Sequence, residues 1–204
     1  MGRVAFMLAE KRRLRTLLRQ RRRALSAQDV RKNSQRIAAR LCAQAMFHQA
    51  RQILLYSSDE NEVETEGLWQ AACRRGIDVY YPRVTADKQE VEFVRRHDNE
   101  PLIPGVFDIP VPPGEDLLTS VAQTDLVLIP GVGFDRAGHR LGRGRGYYDR
   151  VLRNLLAGAL RVGLAHDYQI VSHIPIDEHD ERVDYIVTEK RLIECVGTRL
   201  RKDA

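Results

Sequence analysis

Short, largely apolar segments alternate with amphipathic segments along this chain, and that alternation limits the folds it can adopt. Six of them have the length of strands: 52–57, 77–81, 91–94, 125–129, 161–165 and 185–188. Strands that alternate with helices are typical of a parallel sheet covered by helices. We therefore expect an α/β fold, a three-layer sandwich with a central mostly parallel sheet flanked by helices. Ligands of such folds bind beyond the carboxyl ends of the strands.

Four segments are predicted to be helical from the spacing of their apolar residues: 10–23, 26–45, 65–75 and 147–156. Ser26 is a candidate N-cap, and Gly76 is well placed to stop the third helix. Residues 101–114 hold five prolines and two glycines, which predicts a loop. Neither a repeat nor a break in composition marks a second domain, so we expect a single domain over 1–204.

Basic residues concentrate at the start of the chain, where the first 40 residues hold 13 Lys and Arg against 2 Asp and Glu. Such a block could bind nucleic acid, the phosphates of a nucleotide or an acidic membrane surface, and charge alone does not choose among them. Because runs of charged residues usually lie on a solvated helix face, Arg21, Arg22 and Arg23 are expected to form such a face. The apolar runs are too short to span a membrane, and the N-terminus does not follow the order of a secretory signal. We expect a cytoplasmic protein.

The segment 130–150 follows a predicted strand, precedes a predicted helix and contains six of the 14 glycines. Glycines at this density leave backbone N–H groups able to point into one concavity, and Arg140, Arg143 and Arg145 add charges that can fork around phosphate oxygens. The segment departs from the Walker A pattern, because His139-Arg140 stands where Lys and Ser or Thr are required. It also misses the dinucleotide pattern. The segment is therefore a third type of phosphate loop or a mobile surface turn.

Six motifs occur in the order that one known family has them. They are Lys11-Arg-Arg-Leu-Arg15, Asn61-Glu-Val-Glu-Thr65, Tyr81-Pro-Arg83, Pro130-Gly-Val-Gly-Phe-Asp135, Arg140-Leu-Gly-Arg-Gly-Arg-Gly-Tyr-Tyr-Asp149 and His179-Asp-Glu-Arg-Val-Asp184. Over nearly its whole length the chain resembles the 5-formyltetrahydrofolate cyclo-ligase family. The resemblance implies an ATP- and Mg²⁺-dependent ring closure of 5-formyltetrahydrofolate to 5,10-methenyltetrahydrofolate. It further implies phosphoryl transfer to the formyl oxygen, followed by attack of N10 and release of ADP and phosphate.

The resemblance also implies residue roles. The basic N-terminal helix would contribute to the ATP site, and Arg145 would be catalytic by stabilising charge on the transferring phosphoryl group. The implied ATP-binding residues are Lys11, Arg12, Arg15, Arg140, Leu141, Gly142, Arg143, Gly144, Arg145, Gly146, Tyr147 and Tyr148. The implied substrate-binding residues are Glu62, Arg143, Gly144, Gly146 and Tyr147. Asp149 and Asp184 would bind magnesium, which accepts one or two carboxylates beside phosphate oxygens.

Two other hypotheses remain open. A basic nucleic-acid-binding module could use the arginine-rich N-terminus, and its affinity would fall steeply with salt. A sugar-phosphate isomerase or acyl-CoA transferase could share the layered fold, although no base for such chemistry is evident. The spacing of His166, His173 and His179 does not match a zinc site. We expect a monomer that binds the folate and ATP but neither nucleic acid nor membrane.

Overall fold

The computed structural model describes residues 3–85, 91–98, 100–106, 109–119, 124–144, 159–177 and 180–195. The predicted helix over 147–156 lies outside these residues. Four α-helices occur among them: α1 (Arg3–Arg23), α2 (Ala27–Cys42), α3 (Ala45–His48) and α4 (Glu66–Cys73). None of these helices is long and apolar enough to cross a membrane.

A seven-stranded sheet forms the centre of the described structure. In chain order its strands are β1 (Gln52–Leu54), β2 (Asp78–Val84), β3 (Val91–Arg95), β6 (Leu126–Pro130), β9 (Leu160–Leu164), β11 (Tyr185–Val187) and β12 (Leu192–Glu194). They lie in the order β12-β11-β9-β6-β1-β2-β3. The four inner pairings are parallel, and only the edge strands β3 and β12 are antiparallel to their neighbours. The predicted fold class, a mostly parallel sheet with helices, is confirmed.

Alternating side chains of the sheet build two hydrophobic cores, because successive residues of a strand point to opposite faces. Ile53 and Leu128 belong to the core that receives α2, α3 and α4, whose contributions include Ile37 and Trp69. The second core takes the alternate residues of the same strands, together with Phe134 from the segment after β6. Strands buried on both faces explain why these segments read as continuous apolar runs.

A smaller sheet lies beside the large one and carries α1. It consists of β7 (Gly133–Asp135), β8 (Arg140–Leu141) and β10 (Ile170–Val171), in the order β10-β7-β8. Leu18 of α1 packs there against Val132, Leu141 and Ile174 in a third core. The basic helix is thereby fixed against the first half of the glycine-rich segment.

Several predicted boundaries are wrong. The first helix begins at Arg3 rather than at residue 10, and the helix expected over 26–45 ends at Cys42. The strand expected to end before Pro82 continues to Val84. It can do so because the pairing of β1 with β2 ends at Tyr80, so that Pro82 has a strand neighbour on one side only.

Other short elements were not predicted at all. The expected loop over 101–114 contains the paired strands β4 (Ile103–Pro104) and β5 (Pro110–Val111). The strands β7, β8, β10 and β12 were also missed, and each is two or three residues long. The predicted caps are confirmed: the Asp29 amide donates to Ser26 Oγ, and Gly76 is left-handed with φ of 68°.

Candidate active site

Helix α1 presents three of its cations to the rest of the protein along one side. Lys11 is buried and its ammonium lies 2.5 Å from a carboxylate oxygen of Asp180. Arg15 Nε donates to the Gly142 carbonyl at 2.9 Å. Arg22, two turns further along, is buried as well. Arg12, in contrast, points to solvent. The structure therefore brings Arg15 to the glycine-rich segment predicted to bind ATP, and Lys11 to the motif that contains Asp184, whereas the side chain of Arg12 is turned away from both.

The glycine-rich segment is partly regular structure rather than a free loop. Its first half forms the β7–β8 hairpin, which places Arg140 and Leu141 in the interior with exposed fractions of 6% and 1%. Arg140 donates to the Pro130 carbonyl, and Leu141 packs beneath α1. Among the described residues of the segment, Arg136 at the tip of the hairpin and Arg143 and Gly144 after it are exposed. Gly144 is left-handed, with φ of 97°, and lies against the Arg15 guanidinium.

Arg143 joins the glycine-rich segment to the predicted folate site. One of its terminal nitrogens lies 2.9 Å from Asp59 Oδ2 and the other lies 2.9 Å from Glu62 Oε1. Partial burial lowers the pKa of Arg143, but the charge of Glu62 and the hydrogen bond to Asp59 outweigh it and raise the pKa above its usual value. The residue predicted to bind both ATP and substrate therefore contacts the residue predicted to bind substrate.

Glu62 lies on a tight turn that α1 holds from below. Its carboxylate is 7% exposed, and Oε1 accepts a second bond at 3.1 Å from Arg22. The other oxygen, Oε2, accepts only a 3.3 Å bond from the Asp59 amide among the described residues. Arg22 also binds Glu60 at 2.9 Å and is 1% exposed. The expectation that Arg22 belongs to a solvated face is wrong, because two carboxylates draw its guanidinium inside.

The charge on this turn is balanced by α1. Partial burial raises the pKa of Glu60, but the hydrogen bond from Arg22 and the charges of Arg22 and Arg19 lower it to a net value below normal. Glu60 is therefore ionised at neutral pH. Three arginines of the N-terminal basic block, Arg19, Arg22 and Arg23, are thus paired with Glu60 within the protein.

Of the two predicted magnesium ligands, only Asp184 lies within the described residues. Asp149 lies outside the described residues, as do Arg145, Gly146, Tyr147 and Tyr148. Asp184 precedes β11, at the amino edge of the sheet, where its Oδ2 accepts a bond from the Arg161 amide at 2.7 Å. Glu62 belongs to the opposite edge, because His166, which follows the carboxyl end of β9, contacts the Asn61 carbonyl. The structure does not bring Asp184 to Arg143 or Glu62.

The other potentially reactive side chains among the described residues are buried or held by neighbouring residues. Burial raises the pKa of Cys73 to about 11 and, together with nearby carboxylates, that of Cys195 to about 12, which disfavours a nucleophilic thiolate. His139 is held through Nδ1 by Asp135 at 2.9 Å. No group of three or more His, Cys, Asp or Glu within the described ranges could hold a metal ion.

Sequence reasoning missed Asp59, Asp180 and Arg22 as members of this site. Arg22 stands in a run of three arginines, and nothing in the run distinguishes the one that turns inward. Asp180 is far from Lys11 along the chain, so only the fold joins them. A helical wheel could have found Arg22, because it lies eleven residues after Lys11 and so on the same side of α1.

Fold and site together define an α/β protein that collects cations from a helix and a glycine-rich segment opposite a buried carboxylate, at the carboxyl edge of its sheet. The model of the 5-formyltetrahydrofolate cyclo-ligase family matches residues 7–189. The 5-formyltetrahydrofolate cyclo-ligase of Mus musculus is 34% identical over 189 residues, covering 88% of this chain and 93% of the relative. That of Escherichia coli K12 is 31% identical over 182 residues, covering 87% and 100%.

Solved structures agree with these sequence matches. The NMR structure of 5,10-methenyltetrahydrofolate synthetase from Aquifex aeolicus superposes with a TM-score of 0.81 at 30% identity, covering 93% of this chain and 94% of that one. The synthetase from Mycoplasma pneumoniae gives 0.70 at 29% identity, covering 88% and 98%.

The class is thus that of ATP-dependent ligases of folate one-carbon metabolism, with a known three-dimensional fold. The chain belongs to the 5-formyltetrahydrofolate cyclo-ligase family, whose reaction converts 5-formyltetrahydrofolate to 5,10-methenyltetrahydrofolate. Family, fold class and activity are as the sequence predicted. Membership decides against the nucleic-acid-binding module and the sugar-phosphate enzyme.

Proposed function

We propose that this chain closes the folate ring by transferring the γ-phosphoryl group of ATP to the formyl oxygen. A formamide carbonyl is too poor an electrophile for the neighbouring N10 amine. When the formyl oxygen bonds to the γ-phosphorus, the bond from that phosphorus to the bridging oxygen of ADP breaks. N10 then attacks the formyl carbon, the carbon–oxygen bond breaks, phosphate departs and the N10 proton passes to solvent.

One observation carries this proposal: Arg143 places the glycine-rich segment against Glu62, next to α1. Phosphate oxygens held by Arg143, Arg15 and Lys11 would lie beside a folate held by Glu62. Such chemistry depends on positioning and charge neutralisation rather than on a protein nucleophile. The raised thiol pKa values of Cys73 and Cys195 agree with this.

The proposed folate contact is the Oε2 atom of Glu62. Oε1 is shared by two guanidinium groups, whereas Oε2 has only a long bond from a backbone amide within the described residues. A carboxylate oxygen accepts hydrogen bonds from an amino group and a ring N–H, which the pterin supplies side by side. Glu62 would thereby set the orientation of the pterin. Tyr147 remains a predicted substrate-binding residue.

Magnesium is proposed to accompany the phosphates of ATP, where it would neutralise charge on the β- and γ-phosphoryl oxygens. Asp149 lies near the end of the glycine-rich segment, after its last glycine, and is the proposed protein ligand. The position of Asp184 at the other edge of the sheet, bonded to the Arg161 amide, gives no support to its predicted role as a second ligand. Arg145 remains the proposed catalytic residue.

The decisive assay starts from 5-formyltetrahydrofolate labelled with oxygen-18 in the formyl group, with ATP and magnesium. We expect methenyltetrahydrofolate absorbance to appear only when all three are present, with one ADP per product. The label should leave in inorganic phosphate, which mass spectrometry detects. Label in water would contradict phosphorylation of the formyl oxygen, and no product from folded protein would contradict the activity itself.

A further inference from the structure

The guanidinium of Arg22 is the feature of the site that the family reaction does not yet explain. It is 1% exposed and bridges two carboxylates, Glu60 at 2.9 Å and Glu62 at 3.1 Å. Neighbouring Arg21 and Arg23 on the same helix are exposed. Burying an arginine is costly unless each buried charge is paired, so this position is a specific one.

The turn that carries Glu62 has an unusual backbone. Glu60 and Asn61 both have positive φ, 46° and 62°, a conformation that non-glycine residues rarely adopt. The Asn61 side-chain amide donates to the Arg22 carbonyl in the last turn of α1 at 3.2 Å and to the Leu25 carbonyl just after the helix at 3.1 Å. Strain of this kind persists only where the surroundings hold it, and it concentrates at functional sites. Here the end of α1 holds the turn.

A histidine fixes the same turn from the other side. His166 is 1% exposed, and its Nε2 lies 3.1 Å from the Asn61 carbonyl. Burial lowers the pKa of His166, so its ring is neutral at pH 7 and Nε2 carries the proton that the carbonyl accepts. Nδ1 then faces the Asn33 amide at 3.4 Å. The turn that carries Glu62 is therefore held from two sides, by the end of α1 and by His166.

We propose that Arg22 is a positioning residue for folate, which acts by holding Glu62 so that Oε2 points to the pterin. The inference rests on the folate-binding role of Glu62 proposed above. Arg22 occupies Oε1 from the protein side, and its second bond to Glu60 stops the guanidinium from rotating. Lysine cannot replace it, because a single ammonium does not span two carboxylates in this fork geometry.

The test is a kinetic comparison of wild type, Arg22→Lys and Arg21→Lys, the last being the exposed neighbour on the same helix. We expect Arg22→Lys to raise the KM for 5-formyltetrahydrofolate by about fivefold or more, with kcat and the KM for ATP within twofold of wild type. Arg21→Lys should change none of these. A purely structural role would instead lower the active fraction, and hence kcat, without affecting the KM of one substrate. Wild-type folate KM in Arg22→Lys would overturn the proposal.

A double-mutant cycle separates this proposal from the role of Glu62. Arg22→Met, Glu62→Gln and the double variant remove one partner or both, and the double variant leaves no unpaired buried charge. We expect the double variant to have the folate KM of Glu62→Gln alone. Independent, multiplicative effects would refute positioning through Glu62. Wild-type folate KM in Glu62→Gln would refute the proposed role of Glu62, whatever Arg22 does.

Discussion

Gly133 is the point where α1 rests on the small sheet, and a single methyl group there should disturb the active site. A Cβ at this position would lie 2.6 Å from Leu18 Cδ1 of α1 and 3.4 Å from the Gln169 carbonyl. Ordinary contacts of this kind are 3.4–4 Å. Gly133→Ala therefore requires Leu18 to move by about 1 Å, given the usual separation of carbon atoms in contact.

The leucine has little room to move alone. It is 2% exposed and is enclosed by Val132, Leu141 and Ile174, so the displacement should pass to α1 itself. Overpacking of a buried contact costs ~1 to 3 kcal/mol of unfolding free energy. Because α1 also carries the cations of the proposed ATP site, a shift near 1 Å should lower turnover by ~10²-fold.

Urea unfolding and steady-state kinetics on the same preparations measure both effects. Gly67→Ala is the matched control, since Gly67 lies within α4 and a Cβ there would make an ordinary contact, 3.9 Å from the Ala38 Cβ. Because glycine is less favourable than alanine in a helix, this variant should raise the unfolding free energy by ~0.5 to 1 kcal/mol. Leu18→Val removes the clashing carbon. Combined with Gly133→Ala, it should cost at least ~0.5 kcal/mol less than the sum of the two single changes.

Two results would refute this reasoning. If Gly133→Ala unfolds and turns over like Gly67→Ala, α1 does not depend on close approach at residue 133. If the costs of Gly133→Ala and Leu18→Val simply add, the clash is not with the side chain of Leu18.

Three further predictions follow from the site and its supports. Arg145→Ala should lose ~2.7 to 4 kcal/mol of transition-state stabilisation, seen as a fall in kcat with little change in unfolding free energy. Gly138→Ala should be much more destabilising in urea than Gly76→Ala, since both glycines are left-handed but only a Cβ at residue 138 would clash with a backbone atom, the Val183 carbonyl oxygen. Burial lowers the pKa of His166, so that as the pH falls through the usual value of 6.5 the unfolded chain binds a proton at this ring before the folded protein does. The unfolding free energy of the wild type should therefore rise with pH up to that value, and His166→Gln should flatten the rise.

Each of these predictions has its own check. Unchanged kcat in Arg145→Ala would remove that residue from the catalytic role. Equal destabilisation by Gly138→Ala and Gly76→Ala would show that backbone conformation alone, and not the carbonyl contact, sets the cost. For the pH profile, His48→Gln at an exposed histidine is the control; an equal flattening by both variants would show that the effect is not specific to the buried ring.

Much of the fold could be predicted because the inner strands are buried on both faces. Residues 126–129, for example, form a continuous apolar run, which is typical of a strand buried on both faces. Strands of two or three residues, such as β8, contain too few side chains to show the alternation of apolar and polar residues that predicts a strand. The extension of β2 through Pro82 depends on where β1 ends, which is a tertiary fact that the local sequence does not contain.

The sequence motifs predicted which residues belong to the candidate site, but not which of them contact one another. Lys11, Glu62 and Arg143 were assigned through the family resemblance, and the structure brings Arg143 to Glu62. The partners of these residues come from distant parts of the chain, as Asp180 shows for Lys11. Burial of Arg22 could not be inferred from charge, because the three successive arginines differ only in their direction around the helix.

The central claim is that α1 and the glycine-rich segment bind the phosphates of ATP together. The equilibrium affinity for a non-hydrolysable ATP analogue tests this claim directly in two variants of α1. Arg15→Met removes the arginine that faces Gly142, and Arg13→Met is the control, because the Arg13 side chain is 74% exposed on the same helix. We expect the affinity of Arg15→Met to be about tenfold lower or worse, from loss of one charge-assisted contact, and that of Arg13→Met to be unchanged. Equal affinity in the two variants, both folded, would contradict the claim.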